Sequence, residues 1–123
     1  MTVLVIEESA TEAALMAAGF ALHPQVRVLD AGDEGEAAKR LEKPAAPVVL
    51  AIAGSAALST PATDLFKRLG AQGIPVIGIA ANLSALDKGR ALKAGVQEVH
   101  ERPTEWRSYA ELIESLVTRY IRP

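Results

Sequence analysis

The sequence predicts one α/β domain in which a parallel β-sheet is covered by helices on both faces. Short apolar runs rich in β-branched residues alternate five times with longer amphipathic segments along the 123 residues. The apolar runs have no polar face, so both faces of each strand must be buried, which is typical of a parallel sheet. The length is that of one ordinary domain and no stretch is linker-like or of low complexity, so residues 1–123 are assigned to a single domain.

The predicted strands are short and are separated by the lengths of chain that helical crossovers need. In chain order they are Thr2–Ile6, Val26–Leu29, Pro47–Ala53, Pro75–Ile79 and the weaker Val96–His100. Crossovers between successive parallel strands are right-handed and place helices on both sides of the sheet. The expected result is a sandwich of three layers.

Capping residues mark the starts of the five predicted helices, and glycines or strand starts mark their ends. The helices run, with their caps, from Ser9 to Phe20, Asp33 to Leu41, Thr60 to Leu69, Ser84 to Ala94 and Thr104 to Ile121. The last helix has the clearest period, with apolar and aromatic side chains at helical spacing. These are Trp106, Tyr109, Leu112, Ile113, Leu116, Val117 and Tyr120.

Composition excludes several classes of function. The chain has no cysteine, which excludes disulfides and thiolate chemistry, and only two histidines, which argues against a histidine-rich metal site. Thirteen basic and fifteen acidic residues give a net charge of −2, so no nucleic-acid surface is expected. The apolar runs are too short for a membrane helix, and the start has no basic region of a signal peptide. A cytoplasmic domain without membrane association is expected.

Ligands of an open parallel sheet bind outside the carboxyl ends of its strands. Glu7 and Glu8 follow the first strand, Gly54 and Ser55 follow the third, and Arg102 follows the fifth. A dinucleotide fingerprint, a phosphate-binding P-loop and a Ser-His-Asp constellation are all missing from these loops. No enzyme activity and no cofactor are therefore expected.

The chain resembles the receiver domain of two-component response regulators. The resemblance covers nearly the whole chain and is carried by VLVIEES at the start and by PVIGIAANLSALDKGRALKAGVQEVHERP, from Pro75 to Pro103. It implies a flavodoxin-like (βα)₅ domain with sheet order 2-1-3-4-5. Receivers accept a phosphoryl group on an aspartate that follows the third strand. In receivers, an acidic pair after the first strand holds Mg²⁺. A lysine that precedes a proline, after the fifth strand, pairs with the phosphate.

Matched residue by residue, the chain departs from this pattern. Glu7 and Glu8 match the acidic pair and Arg102 matches the lysine. The acceptor position falls on Ala53, or on Gly54 if the loop is counted without a gap. Where receivers carry a switching hydroxyl and an aromatic residue, the chain has Ala80 and Val99.

Acyl-phosphate chemistry needs a carboxylate nucleophile, which neither alanine nor glycine supplies. The sequence therefore predicts a degenerate receiver that signals by protein–protein interaction without phosphorylation. We expect Arg102 to pair with Glu7 or Glu8, because a guanidinium suits a carboxylate, and at most weak Mg²⁺ binding by those two glutamates. Two alternatives stay open: a phosphorelay receiver with a non-standard acceptor, and a domain that binds a small molecule above Ala53 and Ala80.

The resemblance also implies a protein-binding or homodimer face made by the fourth helix, the fifth strand and the fifth helix. The candidate residues on that face are Lys88, Arg90, Lys93, Val99, Trp106 and Tyr109. Of the two aromatic residues, Tyr109 is expected to be the more exposed.

Overall fold

A computed structural model describes residues 1–42, 47–59 and 62–121. Within those ranges the strands are β1 (Thr2–Ile6), β2 (Arg27–Ala31), β3 (Val48–Ala53), β4 (Val76–Ala80) and β5 (Glu98–Glu101). The helices are α1 (Ala10–Phe20), α2 (Glu34–Glu42), α3 (Ser55–Ser59), α4 (Thr63–Ala71), α5 (Ala85–Lys93) and α6 (Trp106–Tyr120). In the described part of the chain, no helix is long and apolar enough to cross a membrane.

The strands form one parallel sheet in the order β2-β1-β3-β4-β5, which confirms the predicted flavodoxin-like fold. The register pairs Ile6 with Ala31 on one side and with Ala53 on the other. The carboxyl ends of β1, β2 and β3 are therefore aligned, and the loops that follow these strands lie next to one another at the carboxyl-terminal edge of the sheet.

Each face of the sheet has its own hydrophobic core. On one face the side chains of β1, β3 and β4 pack against α1 and α6, with Phe20, Tyr109 and Ile113 fully buried there. On the other face they pack against α2, α3, α4 and α5, around Phe66 and Leu58. Two buried cores on opposite faces give the three layers that the apolar strands predict.

The structure confirms the predicted caps of α1 and α5, because the hydroxyls of Ser9 and Ser84 accept hydrogen bonds from the amides of Glu12 and Asp87. The last helix has Glu105 at its N-cap position, one residue after the predicted Thr104, and the Glu105 side chain makes no capping hydrogen bond. The predicted cap at Thr60 and Pro61 lies outside the described residues.

Several elements differ from the prediction, and three of these differences have identifiable reasons. The helix α3 was not predicted; its five residues are too few to show a helical period. Strand β2 continues to Ala31 because its ladder with β1 extends to Ile6. Strand β5 starts at Glu98, later than predicted, because the amide of Val96 bonds the carbonyl of Ala91 at the end of α5.

A polar cluster fastens the edge strand β5 to the end of α6. The carboxylate of Glu98 accepts hydrogen bonds from Arg119 at 2.7 Å and from the Tyr120 hydroxyl, and His100 lies 2.9 Å from it. Burial alone would raise the pKa of Glu98, but the hydrogen bonds from Tyr120, Arg119 and His100 outweigh it and lower that pKa to about 2.

A carboxylate whose pKa is lowered by folding stabilises the protein above its unfolded pKa, and this stability is lost as the pH falls. We expect Glu98→Gln to lower the free energy of unfolding at pH 7, with a difference from wild type that shrinks between pH 4.5 and about 2. Urea unfolding of both proteins, from pH 7 down to about pH 2, measures this difference in the free energy of unfolding. Glu114→Gln, at an exposed carboxylate of α6, is the control. A difference that does not change with pH would contradict this assignment.

Candidate functional site

The carboxylate of Glu7 fills the space beside Gly54, the first residue after β3. Glu7 follows β1 directly, and the amide of Gly54 donates to the carbonyl of Ile6 at 2.9 Å, so the two residues are neighbours across the sheet edge. A Cβ at position 54 would lie 2.6 Å from Cδ of Glu7, closer than real contacts allow. Gly54 has no left-handed φ, so space rather than backbone conformation calls for glycine here.

Glu7 is buried, with 8% of its surface exposed, which is rare for a glutamate. Its carboxylate accepts a long hydrogen bond of 3.4 Å from the amide of Ser9. Burial raises the pKa of Glu7, the backbone amides of Ser9 and Glu8 oppose the rise, and the nearby charges of Glu12 and Glu8 add to it. Glu7 is therefore held inside the edge of the sheet by packing more than by charge pairing.

Arg102 pairs with Glu12, on the first turn of α1, and not with Glu7 or Glu8 as predicted. The two side chains are largely buried and join the loop after β5 to α1, across ninety positions of sequence. The prediction failed because Ser9-x-x-Glu12 has the pattern of a capping box, in which the glutamate would return to the amide of Ser9. That amide instead donates to Glu7, which leaves Glu12 free to reach Arg102.

Tyr109 lies beneath this pair and is 1% exposed, whereas Trp106 is 47% exposed, so the predicted order of exposure was wrong. Trp106 is the first residue of α6 and extends beyond the core, while Tyr109 one turn later faces it. Burial raises the pKa of Tyr109, the charges of Glu12 and Glu7 raise it further, and Arg102 opposes them. The Tyr109 hydroxyl and Nε of Arg102 are both buried without a hydrogen-bond partner.

Glu8 points away from this cluster and is exposed. It borders a cavity of about 290 Å³ that lies between the ends of β1 and β2 and the helix α3. Asp33 and Glu34 also line this cavity. Ala53 and Ala80, the predicted floor of a ligand pocket, are both buried at their strand ends and do not line it.

A magnesium site of the receiver type does not fit these side chains. Mg²⁺ needs near-octahedral oxygen ligands, and the resemblance places the acidic pair that would supply them at Glu7 and Glu8. Here Glu7 is packed against Gly54, Glu8 borders a different cavity, and position 54 has no side chain. No cluster of three or more candidate metal ligands occurs among the described residues. Weak Mg²⁺ binding at Glu7 and Glu8 stays a prediction.

A second candidate surface lies on α5. Arg90 and Lys93 are exposed and Lys88 is half-buried, and the same helix exposes Leu86 by 63% and Leu92 by 51%. Val99 of β5 faces the other way and packs against the core beneath α5. The surface therefore combines positive charge with exposed apolar side chains.

Glu12 is the residue of the site that the sequence analysis missed. Its position in a capping pattern concealed it, and an ion pair across ninety positions has no local sequence signal.

Burial raises the pKa of Glu7 above 4.5, the ordinary pKa of a glutamate in an unfolded chain. A carboxylate of this kind destabilises the folded state as the pH rises above that ordinary pKa. We expect Glu7→Gln to unfold at higher urea concentration than wild type at pH 7, with an advantage that disappears near pH 4. Glu8→Gln, which changes an exposed neighbour, should not have this advantage. A Glu7→Gln variant that is less stable than wild type at pH 7 would refute the assignment.

The contact between Glu7 and Gly54 can be measured with a double-mutant cycle. We expect Gly54→Ala to cost about 1–3 kcal/mol of stability by overpacking, and to cost less in a Glu7→Ala background. Gly89→Ala is the matched control: a Cβ there meets no atom within 4 Å, and alanine is expected to stabilise α5 by about 0.5–1 kcal/mol. Equal costs of Gly54→Ala in both backgrounds would show that Glu7 does not fill this space.

Comparison with known proteins finds solved structures of the same fold. A response regulator from Thermotoga maritima superimposes with a TM-score of 0.75 at 18% identity, over 95% of this chain and 97% of that one. The phosphorylated cyanobacterial phytochrome response regulator RcpA gives 0.79 at 12% identity, over 98% and 93%. The response regulator RPA3017 in red light signaling of R. palustris gives 0.77 at 18% identity, over 98% and 94%.

No family model and no curated protein matches the sequence. The structural matches cover nearly all of both chains, so the similarity concerns whole receiver domains and not a shared fragment. The chain therefore has the fold of the receiver domains of two-component response regulators.

Proposed function

We propose that this domain is a receiver-like signalling module that works without phosphorylation, by binding another protein. The observation that carries the proposal is the contact between Glu7 and Gly54. Position 54 has no carboxylate to accept a phosphoryl group, and the carboxylate of Glu7 fills the space where an acceptor side chain would stand. Arg102, at the position of the phosphate-binding lysine, already has a carboxylate partner in Glu12.

The same cluster supports a domain without enzyme activity or cofactor. Phosphoryl transfer to a receiver needs a nucleophile next to a metal ion. Among the described residues, the strand ends bring together one buried carboxylate, one ion pair and one buried phenol. A small-molecule ligand above Ala53 and Ala80 is disfavoured because the neighbouring space is taken by Glu7. We also propose a cytoplasmic location, because the apolar runs are short and the start of the sequence has no basic region of a signal peptide.

The direct test is treatment with a small phosphodonor. Incubation with acetyl phosphate and Mg²⁺, followed by intact mass measurement, should leave the mass unchanged, where one phosphoryl group would add about 80 Da. A receiver domain with an acceptor aspartate, treated in parallel, is the positive control. A stoichiometric adduct would overturn the proposal and favour a phosphorelay receiver, and Ser55→Ala would then test the nearest hydroxyl after β3.

The face of α5 supports the interaction part of the proposal. Leu86 lies on the same side of α5 as Arg90 and Lys93, so this side suits a partner that is apolar opposite the leucine and acidic around it. We propose that this face, with β5 and α6 beside it, binds an acidic amphipathic segment of another protein; a second copy of the chain is the alternative occupant.

A synthetic amphipathic helix of leucine and glutamate is a suitable probe of this face. We expect NMR titration to shift amide signals of α5, and the shifts to weaken at high salt and in Leu86→Ser and Arg90→Glu. Light scattering without the peptide tests the alternative. A salt-sensitive dimer that Arg90→Glu abolishes would assign the face to a second copy.

A further inference from the structure

An exposed groove with apolar lining lies between α6 and the residues that follow α1, apart from the surface of α5. It has a volume of about 430 Å³, and its lining includes Leu22, which is 58% exposed, and Trp106, which is 47% exposed. Ala110 also lines it. Two large apolar side chains are therefore exposed at one groove, where a single partner would bury both.

Trp106 is held in place at this groove. Its ring is stacked on that of Tyr109, with 6.5 Å between centroids and 6° between planes, and Tyr109 is fully buried. An aromatic side chain fixed from below loses little conformational freedom when a partner covers it. Tryptophan is also among the residues that contribute most to binding energy at protein interfaces.

The charge of the groove indicates the chemistry of its partner. Glu111 and Glu114 lie three residues apart on α6 and both line the groove. Arg107 lies 3.4 Å from the carboxylate of Glu111, so its charge is matched within the groove. With His23 counted as neutral, Glu114 leaves the groove with a net negative charge.

We propose that this groove binds a basic amphipathic helix of another protein. A large apolar side chain of that helix packs against Leu22 and Trp106, and a lysine or arginine next to it pairs with Glu114. The groove is opposite in charge to the face of α5, so the domain has two separate binding surfaces that select different partners. This inference does not depend on whether the domain is phosphorylated.

Trp106 is the only tryptophan in the chain, so its fluorescence reports on the groove. The probe is a synthetic amphipathic helix of leucine and lysine, titrated into the full chain at low salt. We expect a blue shift of the emission as Trp106 is buried. Binding should weaken at least tenfold in Leu22→Ser and in Glu114→Lys, and should be unchanged in Leu86→Ser, which removes an equally exposed leucine on α5.

Four results would overturn the proposal. The first is no shift with the leucine–lysine peptide, and the second is an equal shift with the leucine–glutamate peptide. The third is equal binding by the Leu22→Ser, Glu114→Lys and Leu86→Ser variants. The fourth is a blue shift that appears on raising the protein concentration alone, together with a doubled mass in light scattering; this would assign the groove to a second copy. Circular dichroism of each variant shows that it is folded.

Discussion

The carboxylate of Glu7, packed against a glycine at the edge of the sheet, is the contact on which the character of the site depends. A glutamate at this position is one methylene longer than an aspartate, so it reaches across the end of β1 to β3. It can lie there only because position 54 has no Cβ. Burial of the charge has a free-energy cost, which the raised pKa reflects, and the cost is tolerated because the surrounding core is extensive.

The remaining polar groups of the site are arranged around this contact. Glu7 accepts a hydrogen bond from the amide of Ser9, the group that Glu12 would bind in a capping box. The carboxylate of Glu12 pairs with Arg102 instead. The charge of Arg102 acts on the buried hydroxyl of Tyr109, and the Tyr109 ring stacks on that of Trp106 at the surface. Thus contacts within the chain fill the space at the carboxyl ends of β1 and β3, while α5 and α6 keep exposed apolar and charged side chains, which is the arrangement on which the proposed function rests.

The fold could be predicted from the sequence because its signals are local. Strands such as Val48–Ala53 are apolar throughout, and Ser9 and Ser84 begin their helices with the expected hydrogen bonds. The site was predicted only in part. Which residues follow each strand, and the lack of an acceptor carboxylate, can be seen in the sequence. The partner of Arg102 and the burial of Tyr109 depend on how distant helices approach one another, which no local pattern records.

The cluster around Glu98 has a consequence for how the domain opens. The strand β5 is at one edge of the sheet and pairs with one neighbour only, so without further contacts it would separate readily. Its attachment to Arg119 and Tyr120 ties it to the last turn of α6, whose other side is buried against the core. We therefore expect β5 and α6 to open as one cooperative unit, with amide hydrogen exchange in β5 following the fraying of α6.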